Sequence, residues 1–229
     1  MATYVLIHGA GSGSWDWHRV APLLRARGHD VVAPDLPCDD DGAGLREYSD
    51  AVVEAIGDRK DLVVVAHSLG GFTAPLVAAR VPVDLLVLVT AMVPLPGESP
   101  GEWWEATGQP EARARQDARE GRTPGAPLDP LVTFLHDVEP EIAAEAVRRE
   151  RGQSGTPFGK PWPLDAWPGT PTAFVLCRQD RFFPADFMRR LVTTRLGITP
   201  EEIDSGHMPA LSSPETLVDV VEGRRRALT

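Results

Sequence analysis

The segment around Ser68 is the feature that most restricts how this 229-residue chain can fold. Residues 61–66 read Asp-Leu-Val-Val-Val-Ala and lack the polar–apolar alternation of a strand with one wet face. Apolar runs of this kind belong to strands that are covered on both faces, as in a parallel sheet beneath helices. The following residues, 67–71, lead directly into a helical pattern. The segment therefore predicts a buried parallel strand, a tight turn with a serine at its apex, and a helix.

Strand-like and helix-like segments alternate on both sides of this point. The predicted strands are residues 3–7, 29–33, 61–66, 84–90, 171–177 and 198–203. The predicted helices are residues 17–27, 45–56, 69–80, 184–196 and 213–226. A repeated strand–helix order is typical of an α/β fold. We therefore predict a mainly parallel central sheet with helices on both faces.

The middle of the chain interrupts this pattern. It is rich in Pro, Gly, Trp and charged residues, and it contains no apolar strand. Weak helical patterns occur there near residues 111–119, 130–137 and 139–151. We predict one core made of residues 1–94 and 170–229, with residues 95–169 inserted as a helical cap over one edge of the sheet rather than as a second core.

Composition excludes several classes of partner. The net charge is −10, and acidic surfaces disfavour nucleic acids and anionic membranes. No apolar run approaches the roughly 20 residues that span a bilayer, and the first strand is too short for a signal peptide. Cys38 and Cys177 show no metal-binding or redox spacing, so we expect two reduced thiols in a cytoplasmic protein. The composition does not indicate an oligomeric state.

Ser68 is the candidate nucleophile. A strained turn between strand and helix leaves room only for small neighbours, and Ala66 and Gly70 provide them. Such a turn lifts the hydroxyl above the sheet and brings the N–H of Leu69 to the place where an oxyanion would form, at a helix N-terminus. For the isolated motif, a serine N-cap beside a packing glycine remains the alternative. His67 is expected to pack or to form a hydrogen bond rather than to catalyse.

His207 is the candidate base. A serine hydroxyl is a poor nucleophile until a base removes its proton. His207 is one of six histidines, and it follows the last predicted strand in the run Ser-Gly-His-Met-Pro. The carboxyl ends of parallel strands share one edge of the sheet, so this loop is expected beside Ser68. The alternative is an ordinary histidine of a surface loop.

Asp180 is the candidate acid that orients the base. A neutral imidazole needs a carboxylate behind it to present the correct tautomer. Asp180 follows the strand at 171–177 and precedes a helix that opens at Pro184. An ion pair with a neighbouring arginine, or a helix cap, is the alternative role. Asp186 and Glu98 are the rival acids.

A glycine-rich loop follows the first strand. Gly9, Gly11 and Gly13 allow backbone N–H groups to turn toward a bound oxygen, and the N–H of Ala10 is the candidate second donor opposite Leu69. The spacing fits neither a P-loop nor a complete dinucleotide fingerprint, so no nucleotide cofactor is expected. The acidic run at residues 39–41 lacks the other ligand positions of a calcium loop, so no metal site is expected.

These motifs resemble those of the α/β-hydrolase family in type and in order. The similar segments are His8–Gly11, Ala66–Gly71, Asp180 and Gly206–His207, and residues 28–37 resemble the second strand of that family. The nearer resemblance is to the branch of plant methylesterases, hydroxynitrile lyases and small bacterial esterases. It implies a triad of Ser68, Asp180 and His207, and an oxyanion hole of the Ala10 and Leu69 amides. Ala66 replaces the usual first glycine but is still small.

The expected function is that of a carboxylesterase for small or medium esters, working through an acyl-enzyme on Ser68. One alternative is hydroxynitrile cleavage on the same triad, for which Lys160 is the single cap lysine. A second alternative is a non-catalytic small-molecule binding protein. The candidate residues of the substrate pocket are Ser12, Trp15, Trp103, Trp104, Phe134 and Trp162. They are expected to line an apolar pocket; for the aromatic residues of the cap, the alternative is that they pack against one another.

Overall fold

A six-stranded sheet forms the centre of the computed structural model, which describes residues 1–228. Neighbouring strands all pair in parallel, in the order β2-β1-β3-β4-β5-β6. The predicted parallel α/β class is therefore confirmed. The strands are β1 (Thr3–Ile7), β2 (Asp30–Val32), β3 (Leu62–His67), β4 (Leu85–Val89), β5 (Thr172–Cys177) and β6 (Glu201–Ile203).

Helices cover both faces of this sheet. Those of the core are α1 (Val20–Ala26), α2 (Leu45–Ile56), α3 (Gly70–Ala78), α8 (Ala185–Leu196), α9 (Pro209–Ser212) and α10 (Pro214–Arg226). Those of the middle segment are α4 (Pro100–Thr107), α5 (Gln109–Arg119), α6 (Pro130–Thr133) and α7 (Pro140–Arg148). Short 3₁₀ turns lie at Ser14–Trp17 and Thr156–Gly159.

The apolar strands lack alternation because both of their faces are buried. On β3, Val64 and Ala66 join a cluster with residues of α2, α3 and α8. Val63 and Val65 point the other way and join a second cluster with residues of α1 and α10. Each strand residue therefore buries apolar surface, which is worth about 25 cal/mol per Å².

The order of the strands opens a crevice between β1 and β3. The helix after β1 packs on one face of the sheet, whereas the helix after β3 packs on the other. In open α/β sheets, ligands bind at such a switch point, outside the carboxyl ends of the strands. The loops that leave β1 and β3 are the glycine-rich loop and the turn at Ser68.

The middle segment, residues 95–169, contains four helices and, within the described part of the chain, no strand. Sequence patterning missed α4, whose start is fixed by a reciprocal capping box between Ser99 and Glu102. The helix predicted at 130–137 ends at Thr133 instead. Trp103 and Trp162 belong to the main core cluster, so the segment is packed into the core. Its division from the core as a separate cap domain stays a prediction.

Two further features concern membrane-spanning helices and the cysteines. Among residues 1–228, no helix is both long enough and apolar enough to cross a lipid bilayer. Cys38 and Cys177 are both buried and free of any disulfide.

Candidate active site

Ser68 lies in a strained turn between β3 and α3. Its φ is +52°, in the left-handed region that non-glycine residues seldom adopt. The turn is held by bonds from the Gly71 and Met92 amides to the Ser68 carbonyl, at 3.1 and 2.9 Å. A Cβ on Gly70 would lie 3.1 Å from the His8 carbonyl oxygen, so a small residue is needed there. Strain of this kind persists where the surrounding structure imposes it, and it is characteristic of functional sites.

Three side chains from distant loops meet at this turn. His207, after β6, has its Nε2 atom 3.3 Å from Ser68 Oγ and its Nδ1 atom 2.8 Å from Asp180 Oδ2. All three residues are buried, and Asp180 is fully so. The carboxylate holds the proton on Nδ1, which leaves Nε2 free to accept the serine hydroxyl proton. The Ser68–His207 distance is long for a hydrogen bond, as is common before a substrate binds.

Asp180 is surrounded by hydrogen-bond donors. Besides His207, it accepts bonds from Thr90 Oγ1 at 2.5 Å and from the Phe182 and Phe183 amides at 2.8 and 2.9 Å. Burial opposes its ionisation, but His207 and these donors outweigh burial and hold the pKa of Asp180 below its ordinary value. Asp180 is therefore ionised at neutral pH. Sequence reasoning missed Thr90, because nothing at the end of β4 marks it as a partner of a loop about 90 residues away.

His67 supports the loop that carries His207. Its Nε2 atom donates to the His207 carbonyl oxygen at 2.8 Å. Burial, together with the neighbouring His207, lowers the pKa of His67 to about 3, so the ring is neutral at any working pH. The proton of this neutral ring sits on Nε2, which leaves no role for His67 as an acid.

Two polar side chains of the middle segment connect the loop of Asp180 to the loop of His207. Asp137 Oδ2 accepts a bond from the Gly206 amide at 2.6 Å, beside His207. His136 Nε2 donates to the Gln179 carbonyl at 3.0 Å, beside Asp180. A Cβ on Gly206 would collide with both side chains. No sequence motif marks this pair, because its role depends entirely on tertiary contacts.

The glycine-rich loop forms the opposite wall. Ala10 and Leu69 both line the cavity above Ser68. His8 fixes the loop, since its Nδ1 donates to the Gly9 carbonyl at 2.8 Å and its Nε2 accepts from the Leu36 amide at 2.9 Å. Burial lowers the pKa of His8, so it stays neutral in this role.

A cavity of about 280 Å³ opens onto Ser68 and His207. Its walls are largely apolar, and the middle segment and the loops of the core both contribute to them. Of the six candidate pocket residues, Ser12, Trp104 and Phe134 line it. Sequence reasoning missed Phe182, which lines the cavity and has its ring centre 5.3 Å from that of His207. Within residues 1–228, no group of three or more His, Cys, Asp or Glu side chains is arranged to hold a metal ion.

The structure corrects the other three pocket candidates. Trp103 is fully buried, and its indole N–H donates to the Val93 carbonyl at 3.1 Å. Trp162 is also buried and donates to the Phe72 carbonyl at 3.1 Å. Trp15 stacks on a histidine outside the cavity. The two buried indoles anchor the middle segment to the core, because a large ring with one polar atom supplies both apolar contact and a directed bond.

Comparison with known proteins places most of the chain in one family. The model of the alpha/beta hydrolase family matches residues 4–220. The chain belongs to the α/β-hydrolase family. The resemblance drawn from the sequence motifs is thereby confirmed.

Several relatives of this α/β-hydrolase match it over nearly its full length. Methylesterase 3 of Arabidopsis thaliana is 26% identical, over 93% of this chain and 92% of its own. Norfluorocurarine synthase 1 of Strychnos nux-vomica is 27% identical, over 93% of this chain and 91% of its own. The crystal structure of polyneuridine aldehyde esterase superposes with a TM-score of 0.79 at 23% identity, covering 98% of this chain and 99% of that one. This last likeness establishes the shared fold.

Proposed function

We propose that this α/β-hydrolase is a carboxylic ester hydrolase that forms an acyl-enzyme on Ser68. The observation that carries the proposal is the unbroken series of contacts from Ser68 through His207 to Asp180 at the mouth of an apolar cavity. The similarity to a protein named a methylesterase supports ester cleavage in particular.

The proposed reaction has two steps. Ser68 Oγ attacks the ester carbonyl carbon while His207 Nε2 takes the hydroxyl proton, and the Ala10 and Leu69 amides bind the oxyanion. His207 then returns the proton to the leaving alkoxide, which departs as an alcohol. In the second step His207 deprotonates a water molecule, which attacks the acyl carbon. His207 then gives this proton to Ser68 Oγ as the acid leaves, which restores the free enzyme. Asp180 stabilises the imidazolium formed in each step.

The substrates proposed are small or medium esters. A cavity of about 280 Å³ is close to the lower end of the usual range of ligand pockets, and the aromatic side chains of Trp104, Phe134 and Phe182 favour an apolar group. A small-molecule substrate and a net charge of −10 fit a protein without nucleic-acid partners. The two free cysteines are consistent with the proposed cytoplasmic location.

Neither alternative function has comparable support. The lyase hypothesis needs a cap lysine at the cavity, and Lys160 is exposed and does not line it. The binding-protein hypothesis leaves the contacts between Ser68, His207 and Asp180 without a purpose.

Hydrolysis of p-nitrophenyl esters tests the proposal. Wild-type protein should release nitrophenolate from short-chain esters, and Ser68→Ala should reduce the rate to that of the buffer. Ser213→Ala is the matched control, because the Ser213 hydroxyl makes no capping bond to α10. Full activity in Ser68→Ala, or no activity in the wild type across a range of acyl lengths, would overturn the proposal.

A further inference from the structure

Asp16 is an acidic side chain buried in the wall of the catalytic cavity. It lies in the 3₁₀ turn Ser14–Trp17, just after the glycine-rich loop. Only 8% of its surface is exposed, and it lines the cavity that holds Ser68. Its Oδ2 atom accepts a hydrogen bond from the Ser12 hydroxyl, and Ser12 lines the same cavity.

This carboxyl group has fewer hydrogen-bond partners than the carboxylate of Asp180. Asp180, the other buried carboxylate of the site, accepts bonds from two side chains and two backbone amides. Asp16 accepts only the bond from Ser12, and in the described part of the chain no cation lies within ion-pair distance of it. An ionised carboxylate offers about four acceptor positions, and those that Ser12 leaves open have no partner among the described residues. Burial accordingly raises the pKa of Asp16 to about 6.

The carboxyl group is not needed to form the turn that carries it. The turn is closed by the backbone, from the Asp16 amide to the Gly13 carbonyl at 3.1 Å. The other charged side chains of the cavity are placed differently. Arg149 is paired with Glu145 and lies over the Trp15 ring, whereas Glu150 is exposed. Asp16 is therefore the buried acceptor that a bound molecule would meet.

We propose that Asp16 binds a hydroxyl or ammonium group of the substrate, so that the cavity selects esters bearing a hydrogen-bond donor on their acid portion. This inference rests on the proposed esterase function and adds the substrate class. The donor would take an acceptor position that Ser12 leaves open, while the aromatic walls hold the rest of the acid. A hydrogen bond to Asp16 would distinguish substrates that differ in one polar group, because an ester without a donor leaves the carboxylate unpaired.

A matched set of esters tests the inference. The set is methyl phenylacetate, its ortho-, meta- and para-hydroxy derivatives and its para-aminomethyl derivative, which place a donor at different distances from the ester carbonyl. For each, kcat/KM relative to the plain ester is measured with wild type, Asp16→Asn, Asp16→Ala and Glu150→Gln. Glu150→Gln is the control, since it removes a carboxylate from the same cavity without touching Asp16.

We expect the wild type to prefer at least one donor-bearing ester by roughly tenfold or more, as for a hydrogen bond to a charged group. Asp16→Asn should reduce this preference several-fold, Asp16→Ala should abolish it, and Glu150→Gln should retain it. If one of the two Asp16 variants fails to fold, the ester preference of the other still tests the inference. Hydrolysis of the plain ester with no preference for any derivative, or a preference that survives loss of Asp16, overturns the inference alone. Absence of any Ser68-dependent hydrolysis overturns the esterase proposal instead.

Discussion

Replacing Asp16 with Asn should stabilise the protein, although it is expected to impair substrate selection. Burial raises the pKa of Asp16 from 3.8 to about 6 in the folded state. A carboxyl whose folded pKa is raised contributes stability that is complete below pH 3.8 and is lost as the pH rises through about 6. At about 1.36 kcal/mol per pH unit, the full loss is about 3 kcal/mol. Asn keeps the shape of the side chain without this loss.

The pH dependence separates this cause from a simple packing gain. The same linkage relation makes about half of the loss complete at pH 5, so Asp16→Asn should exceed the wild type by about 3 kcal/mol at pH 8 and by about half of that at pH 5. Urea unfolding followed by circular dichroism at the two pH values measures both differences. Asp58→Asn, at an exposed carboxyl, is the control and should stay within about 0.5 kcal/mol of the wild type at each pH. The prediction is wrong if Asp16→Asn is less stable than the wild type at pH 8. It is also wrong if the two proteins differ in unfolding free energy by the same amount at pH 8 and pH 5.

Substitutions at four other residues probe the site and its supports. Thr90→Val removes one donor from Asp180, so we expect about a tenfold loss of kcat with little change in KM, measured by steady-state kinetics. Asp137→Ala should lower kcat/KM by freeing the loop of the base, whereas Asp137→Asn, which keeps an acceptor oxygen, should restore most of it; equal losses would contradict this role. Trp103→Ala should lower the free energy of unfolding by about 3–5 kcal/mol, measured by urea titration. Trp104→Ala should chiefly change KM, measured by steady-state kinetics. The reverse result would mean that Trp103 rather than Trp104 lines the pocket.

The features that could be predicted from the sequence are those encoded in short segments. A run of apolar residues ending in a serine between small neighbours has few compatible folds, so β3, its turn and α3 were predictable from residues 61–80. Asp180 and His207 could be singled out because each follows a strand of a parallel sheet, and such loops emerge at one edge.

The features that could not be predicted depend on contacts between distant residues. The bond between Thr90 and Asp180, and the contacts of Asp137 with the base loop, exist only once the sheet and the middle segment are packed. The tryptophans show the same limit. Trp103 and Trp104 are adjacent in sequence, yet one lies in the core and the other lines the cavity, since successive residues of a helix point in different directions.

Covalent labelling of the serine is the most direct test of the proposed chemistry. A fluorophosphonate reacts with a serine only when a base activates the hydroxyl, so incubation with the intact protein followed by peptide mass spectrometry should find one adduct, on Ser68. Labelling should disappear in His207→Ala. An unlabelled wild-type protein, or an adduct on a different serine, would contradict the proposed role of Ser68.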